Sequence, residues 1–204
     1  MGKSQSSPAK VALRDQLLTT RRRRRLTDIG EAADEIAGHL LAATEIRRAA
    51  TVACYVSLAT EPGTTSLLDE LRSAGKRVIL PVLLSDNDLD WATYREAADL
   101  TRASRGMLEP STPRLGPDAV AGADVVLVPG LAVAAGGRRL GRGGGSYDRA
   151  LARSTGFTCV LLYDDELLPE IPTEPHDQAV DAAALPGGIV RFSEVAGTGG
   201  TATA

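Results

Sequence analysis

Two rhythms of hydrophobic residues divide this chain. Through residues 10–43 apolar side chains return every three or four positions, the period of a helix with one buried face. Val11, Leu17 and Leu18 mark the first such stretch, residues 10–25, and Ser6, Ser7 and Pro8 stand ahead of it as a helix start. Ile29, Ala33, Ile36, Ala37, Leu40 and Leu41 form the stripe of the second, with Thr27 and Asp28 placed to cap it. From Thr51 onward the period changes. Residues 51–57 (TVACYVS), 77–83 (RVILPVL), 124–128 (DVVLV) and 158–163 (TCVLLY) are near-continuous apolar blocks of strand length, as expected where both faces of a sheet are covered. Residues 89–94 (LDWATY) alternate instead and read as an edge or antiparallel strand, with Trp91 and Tyr94 as core. A helix capped by Thr64 spans 65–74 and stops at Gly75; another follows the glycines at 141–145; short strands at 179–183 and 189–192 complete the set.

Strands alternating with helices predict an α/β domain built on a mostly parallel sheet. Residues 1–195 make one domain, and residues 196–204, with nothing to bury, make a disordered tail. Ligands of such sheets bind beyond the carboxyl ends of the strands, so three loops are candidates: 58–62, the segment from Pro129, and 164–166.

The segment 128–151, VPGLAVAAGGRRLGRGGGSYDRAL, carries the strongest chemical signal. Consecutive glycines are entropically costly and are kept where the backbone must approach something closely or take positive φ. Followed by a helix N-terminus and joined by Arg139 and Arg142, they form a concavity suited to phosphate. The loop lacks the lysine of a P-loop, and it stands too far from its strand, with Ser146 in the last position, for a dinucleotide fingerprint.

Composition narrows the picture further. A chain of 204 residues with a net charge of −3 is not a bulk nucleic-acid binder. The run Arg21 to Arg25 reads as a solvated helix end, with a phosphate or nucleic-acid contact as its alternative. No apolar run approaches the roughly 20 residues that cross a bilayer, and MGKSQSSPAK lacks the apolar core of an export signal, so a cytoplasmic address is expected. A monomer is expected as well, although no sequence feature decides the oligomeric state. Cys54 and Cys159 lie inside apolar blocks and are expected to be buried, reduced thiols.

PGLA at 129–132, RLGRGGG at 139–145, Tyr147-Asp148-Arg149 and Val180-Asp181 together resemble the 5-formyltetrahydrofolate cyclo-ligase family, also called methenyltetrahydrofolate synthetase. Lys10-x-x-x-Arg14, Glu61-x-x-Thr64 and Gly106-Met-Leu-Glu109-Pro110 follow in the expected order, so the resemblance spans residues 10–192. It implies a three-layer αβα sandwich, Rossmann-like, of the sugar-isomerase and CoA-transferase type. It also implies ATP- and Mg²⁺-dependent conversion of 5-formyltetrahydrofolate, polyglutamylated forms included, to 5,10-methenyltetrahydrofolate. In that chemistry the formyl oxygen takes the γ-phosphoryl group, a folate amine closes the ring, and ADP and phosphate leave.

Residue roles follow from the match. Lys10, Arg14, Arg139, Gly141, Arg142, Gly143, Gly144, Gly145, Ser146 and Tyr147 would bind ATP, with Lys10 and Arg142 acting on the transferring group. Val56, Glu61, Arg142 and Ser146 would bind the folate, Glu61 accepting from the pterin N–H donors. Asp148 and Asp181 would share the Mg²⁺. Read without the match, Lys10 and Arg14 are surface charges one helical turn apart, Asp148 complements a helix N-terminus, and Glu61 is a turn residue. His176 reads as a turn residue. Where the family has two tyrosines this chain has Ser146-Tyr147, which removes an aromatic wall and adds a hydroxyl; Phe-Asp after PGLA is here Val133-Ala134.

Overall fold

The computed structural model of the protein describes residues 7–103 and 106–192; the expected tail at 196–204 lies outside that range. Helix α1 (Pro8–Arg21) starts where the sequence places it: Ser7 is the N-cap, its hydroxyl accepting from Lys10 N, and Pro8 occupies the first turn. It ends four residues before Arg25. Helix α2 (Leu26–Ala42) has Arg25, not Thr27 or Asp28, at its N-cap and no side-chain cap; Asp28 lies in the first turn and pairs with the Arg25 guanidinium at 2.6 Å. A short α3 (Thr44–Arg48) leads into the sheet.

Seven strands form that sheet, in the order β11-β10-β9-β6-β1-β2-β3. β1 (Thr51–Ala53), β2 (Arg77–Leu83), β6 (Val125–Pro129), β9 (Phe157–Leu161) and β10 (Ala182–Leu185) run parallel, with Val52 opposite both Val78 and Val125. The two edges, β3 (Leu89–Tyr94) and β11 (Gly188–Arg191), are antiparallel. The alternating pattern of β3 thus reports its edge position.

Alternate residues of each parallel strand enter opposite layers. Val52, Cys54, Leu80, Leu127 and Cys159 pack with Ile36 and Leu40 of α2 and with Leu67 and Leu71 of α4 (Thr65–Ser73). Ala53, Ile79, Val126 and Val160 face the other way, onto Ala150 and Leu151 of α5 (Ser146–Arg153). The result is the expected three-layer sandwich. Both cysteines are fully buried and free, and Trp91 and Tyr94 belong to the core. Among the described residues no helix is long and apolar enough to cross a membrane.

Two small additions to the core are not visible in the hydrophobic pattern. β4 (Leu100–Arg102) pairs with β5 (Leu108–Pro110), and β7 (Ala132–Ala134) pairs with β8 (Arg138–Leu140) inside the segment that reads as loop. The second hairpin turns through Gly137, at φ +72, where an added Cβ would lie 1.9 Å from the Val180 carbonyl oxygen. Only glycine permits that approach. The turn delivers Arg139 to the end of the sheet.

Candidate active site

In the strand order the chain moves from β1 to β2 on one side and from β6 to β9 on the other. The connections diverge there, leaving a crevice beyond the carboxyl ends of β1 and β6. A cavity of about 360 Å³ fills it. Tyr55, Val56, Leu58 and Glu61 line it from beyond β1, Pro129 and Gly130 from the end of β6, and residues 141–148 from the glycine loop and α5. Pro81, Leu83, Leu89, Met107 and Leu108 form an apolar wall opposite.

The polar wall is a lattice of charges. Glu61 is almost wholly buried; one carboxylate oxygen accepts from Leu58 N at 2.8 Å and the other from the Arg142 guanidinium at 3.1 Å. Arg139, also buried, donates to Asp148 at 2.9 Å and to the Pro129 carbonyl at 3.2 Å. Arg14, expected at the nucleotide, does not line the cavity; from α1 its Nε donates to the Gly141 carbonyl at 2.8 Å and so braces the glycine loop.

These contacts explain the glycines. A Cβ on Gly141 would lie 2.7 Å from the Arg139 guanidinium, and Gly143, at φ +94, faces Arg14. Gly145, at φ +68, is the residue before the first turn of α5. Part of the run therefore makes room for the protein's own arginines, as well as leaving backbone N–H groups accessible. Burial, aided by the charge of Glu61, pushes the Tyr147 phenol far above its usual range, and Tyr55 follows for the same first reason. Burial thus favours the neutral form of both phenols.

The structure brings Val56, Glu61, Arg139, Gly141, Arg142, Gly143, Gly144, Gly145, Ser146, Tyr147 and Asp148 to one cavity. Besides Arg14, three expectations change. Lys10 does not line the cavity: its side chain is 3 % exposed and its ammonium sits between Glu174 at 3.0 Å and Asp177 at 2.7 Å. Asp181 does not join Asp148. It precedes β10, is exposed, and its carboxylate accepts from the N–H and hydroxyl of Thr158, near the start of β9. The surrounding alanines that make it look buried belong to the strand it precedes. Third, the loop at 164–166 does not line the cavity.

That third loop instead answers the arginine run. Arg21 is not a solvated helix end; its side chain is fully buried, forked onto both oxygens of Glu166 at 2.6 and 2.7 Å and onto the Gly130 carbonyl at 2.7 Å. Arg24 stacks on the Tyr163 ring at 3.9 Å and pairs with Asp165. Arg22, Arg23 and Arg25 are exposed, as expected for the end of a helix.

The Lys10 cluster has a pH signature. Burial alone would raise Asp177, but hydrogen bonds from Lys10 and Glu174 N outweigh it and hold the group below its ordinary 3.8; Lys10 chiefly does the same to Glu174. Because the folded pKa values are depressed, the stabilisation is present above about pH 4 and is lost as pH falls through the folded values. The melting temperature of the wild type should therefore drop more steeply below pH 4 than that of Lys10→Met. Parallel curves would show that Lys10 does not set the titration.

The sequence model of the 5-formyltetrahydrofolate cyclo-ligase family matches residues 6–186. The chain belongs to this family. The cyclo-ligase of Mycolicibacterium smegmatis is 46 % identical over 143 residues, covering 67 % of this chain and 73 % of the relative. The Escherichia coli K12 cyclo-ligase is 31 % identical over 172 residues, covering 81 % and 94 %. Among solved structures, the 5,10-methenyltetrahydrofolate synthetase of Aquifex aeolicus superposes with a TM-score of 0.80 at 26 % identity, over 91 % of this chain and 93 % of that one. The Mycoplasma pneumoniae protein of the same name, at 22 % identity and a TM-score of 0.69, shares the fold.

The apolar wall of this cyclo-ligase is not legible in the sequence: nothing in the motif at 106–110 announces that Met107 and Leu108 line the same cavity as Glu61. Glu109 lines it too, with one oxygen on Leu83 N at 3.0 Å. The signal was only the presence of Met and Leu in a loop otherwise rich in Gly and Pro.

Proposed function

We propose that this cyclo-ligase family member uses ATP to convert 5-formyltetrahydrofolate to 5,10-methenyltetrahydrofolate, releasing ADP and phosphate. One observation carries the reading: a buried carboxylate, Glu61, and a cation on a glycine loop, Arg142, meet in one cavity whose opposite wall is apolar. Phosphoryl transfer asks for positioning and charge neutralisation rather than a protein nucleophile. Glu61 would accept from the pterin amino and ring N–H donors, and Val56 would flank it. The wall of Pro81, Leu83, Met107 and Leu108 suits the aryl portion of the folate.

The glycine-loop amides and the N-terminus of α5, with Ser146 at its first position, would take the phosphates. The formyl oxygen attacks the γ-phosphorus and the bond to ADP breaks; the neighbouring folate amine then attacks the formyl carbon, and phosphate departs with the oxygen. Arg142 would stabilise the charge on the transferring group. Arg139 holds Asp148, and Arg14 braces the loop through Gly141, so both act on the phosphate site through the backbone and side chains they fix. Lys10 acts from outside the cavity, by fixing the 174–177 segment, whose neighbour Gln178 reaches Asp148 through its N–H at 3.4 Å.

As a pair, Asp148 and Asp181 do not fit a shared Mg²⁺, since Asp181 is committed to Thr158. Asp148 alone is a hard oxygen donor on the cavity wall, and Mg²⁺ is commonly held by one or two carboxylates together with substrate phosphates. Bound there, the ion would supply charge neutralisation to the phosphate chain. The test is direct: purified protein with ATP, Mg²⁺ and 5-formyltetrahydrofolate should generate methenyltetrahydrofolate absorbance. An ATP-independent or absent signal rejects the reading.

A further inference from the structure

The cation proposed for the transferring phosphoryl group and the carboxylate proposed for the pterin are bonded to each other. The family resemblance places Arg142 at both substrates and Glu61 at the pterin, and in the structure the guanidinium rests on the carboxylate, with Nε and a terminal nitrogen both 3.1 Å from one oxygen. The partners are unequal in freedom. Glu61 is 5 % exposed in its side chain and is pinned by Leu58 N, whereas the Arg142 side chain is 44 % exposed. Arg142 also hangs between Gly141 and Gly143, the latter at φ +94, so the backbone on either side carries no Cβ to obstruct a swing.

Resting on the function proposed above, we propose that Arg142 serves two partners in turn, and that folate binding is what delivers it to the phosphates. In the empty pocket its charge neutralises the buried Glu61. Pterin N–H donors replace it there, because the carboxylate oxygen facing the cavity cannot serve both fully. The displaced cation then turns to the anion next to it, the nucleotide held by the glycine loop. Glu61 is thereby a positioning residue for Arg142 as well as a folate contact. A ligand that must first break an internal contact binds more weakly by the fraction of time that contact is formed. Each substrate therefore binds more tightly once the other is present, by the same factor in both directions.

The measurement is calorimetric titration of 5-formyltetrahydrofolate and of a non-hydrolysable ATP analogue with Mg²⁺, each alone and with the other saturating. Wild-type protein should show mutual tightening of about fivefold or more. Arg142→Met should bind folate alone more tightly than wild type, by a similar factor, and the coupling should vanish. Glu61→Gln should lose folate affinity but bind the analogue alone more tightly than wild type, since its Arg142 is already released. A direct folate contact by Arg142 would make Arg142→Met bind folate more weakly, and an inert pair would leave it unchanged; either result overturns the proposal. Wild type that binds both ligands without coupling overturns it as well, leaving the cyclo-ligase reading intact. Wild type that binds neither ligand brings down that reading and this proposal together.

Discussion

Replacing Arg142 by Met should lower turnover by about 10²- to 10³-fold, the usual cost of removing one charge-stabilising donor from a site of acyl or phosphoryl chemistry. The loss should fall on kcat, because the cation is needed where charge moves in the transition state, and should not come from weaker folate binding. The side chain is 44 % exposed but neutralises the buried Glu61, so the melting temperature should fall, though by less than for loss of the fully buried Arg21, while methenyltetrahydrofolate formation nearly stops in protein that is still folded at the assay temperature. Turnover within threefold of wild type would remove Arg142 from the chemistry.

The largest effect on stability is expected far from the reaction. Arg21→Met should destabilise the protein by about 3–5 kcal/mol, the cost of leaving a buried carboxylate without its cation. Glu166 is 2 % exposed, and besides Arg21 it receives Tyr163 N at 3.0 Å, so it cannot turn to water for a partner. Arg21→Met combined with Glu166→Leu should recover most of the loss, since an apolar pair of similar volume often matches a buried ion pair. Denaturant unfolding of both variants measures the difference. A single variant that unfolds like wild type would show that the Arg21 contact contributes little to stability.

Arg21 is also where the sequence is most misleading. Five arginines at the end of a helix suit the negative pole of its dipole, and three of them are exposed as that rule expects. Which of five identical side chains becomes a core strut depends on Glu166, 145 residues away, and on the helix being laid across the ends of β6 and β9. Lys10 follows the same logic. Its motif spacing with Arg14 places both charges on one face of α1, but the two carboxylates at 174 and 177 that capture it come from the other end of the chain. Asp181 errs in the opposite direction: its apolar neighbours make it look buried, whereas it stands just before the strand and faces solvent.

Local patterns were enough for the frame. Continuous apolar blocks announce strands covered on two faces, helical stripes announce the two outer layers, and a glycine run before Ser146 announces a phosphate-sized concavity, because each depends only on neighbouring residues and the period of the backbone. What tertiary structure alone decided was the pairing of charges: Glu61 with Arg142, Arg139 with Asp148, Lys10 with Glu174 and Asp177, Arg21 with Glu166. A charge can be seen in a sequence, but its partner is set by where long-range topology brings a counter-charge within about 3 Å in a place too dry to leave either one alone.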